Sequence, residues 1–237
     1  NADSISSICY GRAYRAKHIH ESKYNEAIEA YDRAIELNSS CIAAWRQKGN
    51  AFSNLSKFDE ALLCYEKVIS IDSKQAENWY DKGISLIHLG RYSEAIRAFD
   101  RSIKIDPTFA DAWSNKGQAF FYLGKYNESI DVCNQALKIS PASVLAWIIK
   151  GYSLASLGMY DEATKSLETA LRLDPKLSSL SWYYKGLKSL ANGEYEKSIF
   201  YFDKALEAYP NSELFWNDRG VALEEQGKFD EALKSFE

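Results

Sequence analysis

The stretch AENWYDKGISLIHLGRYSEAIRAFDRSIKIDP, residues 76–107, decides the fold. Apolar residues recur at spacings of three and four in two runs, Trp79–Leu89 and Tyr92–Ile103, and this spacing predicts two amphipathic helices. Gly90 stands between the runs, where a residue that tolerates the left-handed backbone can end the first helix. Ser93 is expected to cap the second helix. The stretch therefore predicts a helical hairpin.

The same signals return along the chain at a spacing of 34 residues, with one extra residue before the fifth copy of the tryptophan. They include all six tryptophans, which are Trp45, Trp79, Trp113, Trp147, Trp182 and Trp216. Each tryptophan is followed by a glycine four residues later, then by an aromatic residue and a small residue. Every proline ends a copy, at Pro107, Pro141, Pro175 and Pro210. Such self-similarity indicates an array of repeats.

This order of Trp, Gly, aromatic, small residue and Pro resembles the tetratricopeptide repeat over almost the whole chain. The resemblance implies an all-α fold, a right-handed α-α superhelix (solenoid) of about seven helix-turn-helix hairpins. These hairpins form one expected domain, residues 4–237, and are predicted at 4–41, 42–75, 76–109, 110–143, 144–178, 179–212 and 213–237, the last one truncated. Residues 1–3 are interpreted as the remnant of a removed tag, and the natural protein is expected to continue beyond Glu237.

Composition narrows the class of partner. The 237 residues are 46% apolar with a formal charge of −4, and no run is long enough to cross a bilayer. Opposite charges alternate without a basic patch, so we expect neither a membrane nor a nucleic-acid partner. The cysteines, Cys9, Cys41, Cys64 and Cys133, lack paired short spacings, which favours reduced thiols and a cytoplasmic location. Cys133 replaces a core phenylalanine of other copies and is predicted to be buried.

The sequence carries no recognisable catalytic or cofactor motif. It lacks a nucleophile elbow, a phosphate loop and a zinc-binding His-Glu pair, so we predict that the protein is not an enzyme and binds no cofactor. His18 and His20 invite comparison with a metal site. Residues two apart on a helix point to different faces, however, and no further ligand lies nearby, so we interpret both as surface histidines.

The resemblance places binding on the inner face of each first helix, at two residues before and one, five, eight and nine after the tryptophan. The predicted peptide-binding residues are Arg46, Asn50, Tyr80, Ile84, Ile87, Gln118, Phe121, Tyr122, Leu145, Ile148, Tyr152, Tyr183 and Leu187. They are expected to hold a peptide or helix of a partner protein. We expect the rings of Tyr152 and Tyr183 to be exposed there and to contribute little to stability.

The segment 145–157, LAWIIKGYSLASL, is apolar on nearly every side, which a helix with one exposed face should not be. Either a partner covers it, or neighbouring inner helices cover one another. Self-association through this groove, or through the uncapped C-terminal end near Phe236, is also expected.

A cation precedes the first glycine of each copy from Lys48 onward. The residues are Lys48, Lys82, Lys116, Lys150, Lys185 and Arg219. This ladder could bind an acidic ligand, or the side-chain stems could lie on apolar surface with the charge at water or a neighbouring acid. We favour the second interpretation because the position is a packing position.

Two known modes of the family can be compared with this sequence. In the clamp for acidic chaperone tails, Arg46 and Asn50 would fit, but Asp81 and Asp111 stand where donors are needed, so this binding is not expected. The alternative function is the substrate-selecting arm of a larger enzyme, as in O-linked N-acetylglucosamine transferases. The inner-face asparagine ladder of that family is replaced here by Gln47, Asp81, Asn115, Ile149, Tyr184 and Asp218, which favours an interaction scaffold.

Overall fold

A computed structural model describes residues 22–175 and 178–237, with the side chains of 178–181 outside the described part. The chain divides into two compact units, Asn1–Thr108 and Phe109–Glu237, called here the N-terminal and C-terminal units. The predicted first helix of the first hairpin, with His18 and His20, lies outside the described residues.

Helices and tight turns account for the described part of the N-terminal unit. Residues 22–37 form α1, and each later hairpin is a pair of helices that pack on each other. The pairs are α2 (Ile42–Asn54) with α3 (Phe58–Ile71), and α4 (Ala76–His88) with α5 (Tyr92–Ile105).

The C-terminal unit repeats the same hairpin. Its helices are α6 (Ala110–Tyr122), α7 (Tyr126–Ile139), α8 (Val144–Ser156), α9 (Tyr160–Leu173), α10 (Ser178–Ala191), α11 (Tyr195–Ala208), α12 (Glu213–Glu225) and α13 (Phe229–Phe236). Within this unit α7, α9 and α11 also pack on α8, α10 and α12, the first helices of the hairpins that follow them. The predicted all-α repeat of helical hairpins is thus confirmed. In the described residues no helix is long and apolar enough to cross a membrane.

The turn inside each hairpin from α2 onward uses a left-handed backbone, as the glycine at this position predicted. At Gly90 φ is 71°, and the Arg91 N–H donates to the Leu86 carbonyl at 2.9 Å, which closes the end of α4. The expected cap by Ser93 is wrong. The turn is so short that α5 already begins at Tyr92, Arg91 takes the cap position, and no side chain caps the helix.

Ser56 occupies the position that glycine holds in the other turns, and its φ is 58°. A side chain in this region carries a steric penalty that glycine avoids. Ser56→Gly should therefore raise the free energy of unfolding by about 0.5–1 kcal/mol, measured by urea denaturation. The control Ser56→Ala keeps the Cβ atom and should give no gain, and a similar gain in both variants would contradict this account.

The tryptophans do more than fill space. In four hairpins the indole N–H donates to a backbone carbonyl six residues earlier, in the turn before the first helix. The pairs are Trp45–Ser39, Trp79–Ser73 and Trp147–Pro141, each at 2.9 Å, and Trp216–Pro210 at 2.7 Å. Each of these rings therefore fixes the connection between hairpins to the helix that follows.

The glycine after each tryptophan permits close contact between the two helices of a hairpin. At Gly186 a Cβ atom would lie 2.5 Å from the Phe202 ring, and the Ser198 hydroxyl donates to the Gly186 carbonyl at 2.9 Å. Phe202 itself is 0% exposed. The glycine and the small residue of this hairpin thus meet directly, which lets the two helices approach closely.

The cation ladder belongs to the packing of the hairpins, in agreement with the favoured interpretation. Lys82 and Lys185 each place Nζ 2.8 Å from a carboxylate of the preceding second helix, Glu66 and Glu168 respectively. Lys185 also lies 4.9 Å from the centroid of the Trp182 ring. A cation held between an indole face and an acid stabilises the stack.

Three of the four cysteines lie in the described residues, and Cys9 lies outside them. Cys41, Cys64 and Cys133 are free thiols, and the prediction that Cys133 is buried is confirmed. Burial raises the pKa of the Cys64 thiol to about 11 and that of Cys133 to about 12. Neither thiol is therefore activated as a nucleophile at neutral pH.

Candidate functional site

The polar side chains predicted on the inner face of the N-terminal unit are engaged within that unit. The Arg46 Nε–H donates to Asp81 Oδ2 at 3.0 Å. Burial raises the pKa of Asp81, and the Arg46 charge opposes that rise. Asn50 Oδ1 accepts a hydrogen bond from the Tyr65 hydroxyl at 2.8 Å. Arg46 and Asn50, the two residues that fit the chaperone-tail clamp, thus already have partners.

The apolar residues of the same face are partly covered. Tyr80 is half-buried with its ring centroid 5.9 Å from that of Phe99, and Ile84 is half-buried. Ile87 is only 9% exposed and offers little surface to a partner. The described N-terminal unit therefore offers a mainly polar, internally bonded face.

The C-terminal unit has a continuous row of aromatic rings across its first helices. The ring centroids of Phe121 on α6 and Tyr152 on α8 are 5.9 Å apart, and those of Tyr152 and Tyr184 on α10 are 5.5 Å apart. We call Phe121, Tyr152 and Tyr184 the aromatic row. It continues through Tyr183, which is 5.1 Å from Tyr184 and stacks on Phe215 of α12 at 4.5 Å.

The row runs diagonally across the helices. Phe121, Tyr152 and Tyr184 lie eight, five and two residues after their tryptophans, and Phe215 lies one residue before its own. A shift of three residues is about 4.5 Å along a helix, and with axes about 10 Å apart it corresponds to a crossing angle of about 25°. The rings of the row that meet therefore do not occupy equal positions in successive hairpins.

Tyr183 belongs to the core. It is 6% exposed, lies between Phe215 and Phe202, and donates its hydroxyl hydrogen to Asp218 Oδ2 at 2.6 Å. The expectation that its ring is exposed and contributes little to stability is wrong, because α12 of the next hairpin packs directly over it. Replacing Tyr183 would disturb packing as well as any binding surface.

The other predicted residues of this unit surround the row. Tyr122 is 48% exposed beside Phe121, with ring centroids 5.7 Å apart, and Gln118 is half-buried. Leu145, Ile148 and Leu187 are half-buried as well. Tyr122 is therefore the most exposed of the predicted binding residues of this unit, and the half-buried side chains form the base of the first-helix face.

The apolar helix α8 is covered largely by its neighbours. Ile149 is 4% exposed and packs with Cys133 of α7, while Leu154 and Ala155 cluster with Ala163 of α9. This cover explains most of its apolar surface without a partner. Leu145, Ile148 and Tyr152 remain half-buried, and Tyr152 belongs to the aromatic row.

The row holds two tyrosine hydroxyls in partly apolar surroundings. Burial raises the pKa of Tyr152 to about 12 and also raises that of Tyr184. Within the described part of the chain neither hydroxyl has a hydrogen-bond partner. Both can therefore donate to a bound backbone or side chain at neutral pH.

Tyr184 is the residue of this face that sequence reasoning missed. It lies two residues after Trp182, and that offset is not one of the five predicted binding positions. From the sequence alone it belongs only to the residues that replace the asparagine ladder. The available signal was a run of two tyrosines after Trp182, which presents one ring to the core and the other to the row.

Comparison with known families agrees with the repeat geometry. Four family models, each described as tetratricopeptide repeat, match the chain. One matches residues 21–77 and 150–213, and the others match 50–119, 110–143 and 201–234. An uncharacterised protein of Methanocaldococcus jannaschii is 38% identical over 65 residues, which are 27% of this chain and 76% of that protein.

Several solved structures share the fold. PilW, a type IV pilus biogenesis factor, matches with a TM-score of 0.71 at 18% identity over 88% of this chain and 94% of its own. YrrB, described as a tetratricopeptide-repeat protein with an unusual peptide-binding site, matches with a TM-score of 0.62 at 24% identity over 79% and 96%. MamA matches with a TM-score of 0.61 at 22% identity over 68% and 95%.

Proposed function

Since the chain belongs to the tetratricopeptide-repeat family, we propose that it is a non-catalytic protein-interaction module that binds a peptide or helical segment of a partner. The binding surface is the first-helix face of the C-terminal unit, where the aromatic row forms the floor and Tyr122 forms an exposed edge. No cofactor takes part.

The aromatic row is the observation that carries this proposal. Aromatic side chains on rigid helices provide large contact area at a low cost in conformational entropy, and such residues dominate binding energy at protein interfaces. The neighbouring rings hold Tyr152 on two sides, at 5.9 and 5.5 Å, so its orientation is fixed before a partner arrives. Its hydroxyl and that of Tyr184 add polar groups that can orient a bound segment.

The alternative, a substrate-selecting arm of a larger enzyme, has less support. That function would use a ladder of exposed asparagine side chains on the inner face. At the corresponding positions Asp81 is bound to Arg46, Ile149 is buried, and Tyr184 belongs to the aromatic row. These contacts favour a partner held by apolar anchors.

Selection from a displayed peptide library tests the proposal. Peptides enriched on the full chain should bind Tyr122→Ser at least about fivefold more weakly, because an aromatic anchor at an interface can contribute more than about 1 kcal/mol. Tyr122 is 48% exposed, so the melting temperature should change little.

The matched control is Phe200→Ser. Phe200 is an exposed aromatic residue on α11, 53% accessible and outside the first helices, so this variant should bind as the unchanged chain does. Enriched peptides that lose affinity with Phe200→Ser and not with Tyr122→Ser would contradict the proposed surface.

A further inference from the structure

The first-helix face of the C-terminal unit has an uneven charge. We count the charged residues at the predicted inner-face positions of α6, α8, α10 and α12, together with the residue two after the tryptophan, where Tyr184 lies in α10. These positions hold four carboxylates and no lysine or arginine. The carboxylates are Asp111, Asp218, Glu224 and Glu225. Four of the five cations of these helices lie over indole rings instead, and they are Lys116, Lys150, Lys185 and Arg219. The fifth, Lys188, pairs with Asp161 of α9. The face is therefore negative, most strongly at α12.

Asp218 differs from its counterpart in the N-terminal unit. There Asp81, also two residues after its tryptophan, pairs with Arg46 at 3.0 Å. In the C-terminal unit the place of Arg46 is taken by Tyr183. The described donors to Asp218 are neutral, namely the Tyr183 hydroxyl at 2.6 Å and the Asn217 amide at 3.3 Å. A half-buried carboxylate at the end of the aromatic surface thus has hydrogen bonds but, among the described side chains, no neutralising charge.

We infer that the segment bound by this face is basic and amphipathic. Its apolar side chains lie on the aromatic row, and its lysine or arginine side chains pair with Asp218 and Glu225 of α12. This inference rests on the proposed function and specifies the chemistry of the partner. Complementary charge of this kind adds specificity and speeds association.

The aromatic part and the acidic part of this surface are adjacent. Tyr183 contacts both Tyr184 of the row and Asp218, so the acidic part begins where the aromatic part ends. Asp218 and Glu225 are seven residues apart on α12, which is two turns, or about 10 Å, along one face. Glu225 is exposed and also accepts a long hydrogen bond from Tyr195 at 3.5 Å. A bound segment with two cations beyond its apolar part matches this spacing.

The charge of this face argues against the sequence-based expectation that a second copy of the chain covers it. A symmetric pairing through the face would bring its own carboxylates together without cations to neutralise them, and like charges oppose such contact. Sedimentation equilibrium of the chain alone should therefore show no association that depends on Tyr122. Self-association that Tyr122→Ser abolishes would overturn the inference.

Two displayed peptide libraries test the charge preference. Each has an apolar half made of Tyr, Phe and Leu and a second half whose positions vary among Lys, Gln and Glu, and the libraries differ in which half comes first. Selection on the full chain should enrich Lys over Gln by about threefold or more and deplete Glu. Enrichment of Glu, or equal use of the three residues, overturns the inference while the proposed function stands. Absence of any enriched peptide overturns both.

Charge-neutralising variants locate the preference. Asp218→Asn combined with Glu225→Gln should weaken an enriched Lys peptide by about tenfold and its Gln counterpart by less than about twofold. Asparagine can still accept the Tyr183 hydrogen bond, so the fold is retained. The control is Asp203→Asn. Asp203 lies outside this face, on α11, where its Oδ1 is 2.6 Å from Arg219 Nε, so this variant should leave both affinities unchanged. Equal losses for the Lys and Gln peptides in the double variant would overturn the inference.

Discussion

Phe202→Ala is expected to lower the free energy of unfolding by about 3–5 kcal/mol, the usual range for removing a buried phenylalanine ring. Phe202 is 0% exposed, meets Gly186 across the hairpin and lies 5.8 Å from the Tyr183 ring. No flexible neighbour can fill the cavity, because the surrounding helices are already in close contact. Urea denaturation measures the loss.

The same helix provides the matched control for this prediction. Phe200 is two residues away on α11 and 53% exposed, so Phe200→Ala should lower the free energy of unfolding by less than about 1 kcal/mol. Amide hydrogen exchange should show Phe202→Ala loosening α10–α13 more than α6 and α7, since repeats depend mainly on their neighbours. Equal losses for the two alanine variants would contradict the described core.

Gly186→Ala should lower the free energy of unfolding by about 2 kcal/mol, although alanine is the better helix former. Its Cβ atom would lie 2.5 Å from the Phe202 ring, which is enclosed and cannot move away. The overpacking therefore outweighs a gain in helix propensity of about 1 kcal/mol.

A double-mutant cycle separates these two contributions. In the Phe202→Ala background the ring is gone, so Gly186→Ala should become neutral or stabilising. The comparison uses urea denaturation of the four chains of the cycle. If Gly186→Ala destabilises both backgrounds by the same amount, close contact with Phe202 is not the reason for this glycine.

The sequence predicts the hairpins well because every copy carries the same local signals. Tryptophan, the following glycine and the turn glycine act within a hairpin or with its immediate neighbour, so their spacing alone determines helix pairing. The expected cap at Ser93 shows the limit of such local reasoning. The left-handed turn at Gly90 is so short that α5 begins before Ser93.

The candidate site was harder to predict because it depends on how successive helices cross. Equal offsets from each tryptophan place Tyr183 in the groove and leave Tyr184 out. In the structure the ring contacts shift by two or three residues from one first helix to the next, so the aromatic row includes Tyr184 and α12 covers Tyr183. That shift is a property of packing between hairpins, and the repeat within each hairpin does not encode it.

Photocrosslinking tests the central claim, that the first-helix face of the C-terminal unit binds a basic segment, most directly. A benzophenone amino acid replaces Tyr122 in one variant and Phe200 in another, two exposed positions inside and outside the face. Each variant is irradiated with an enriched lysine-containing peptide, and mass spectrometry locates the adducts. The account predicts crosslinks from position 122, suppressed by excess unlabelled peptide, and none from position 200. Crosslinks from position 200 alone would contradict it.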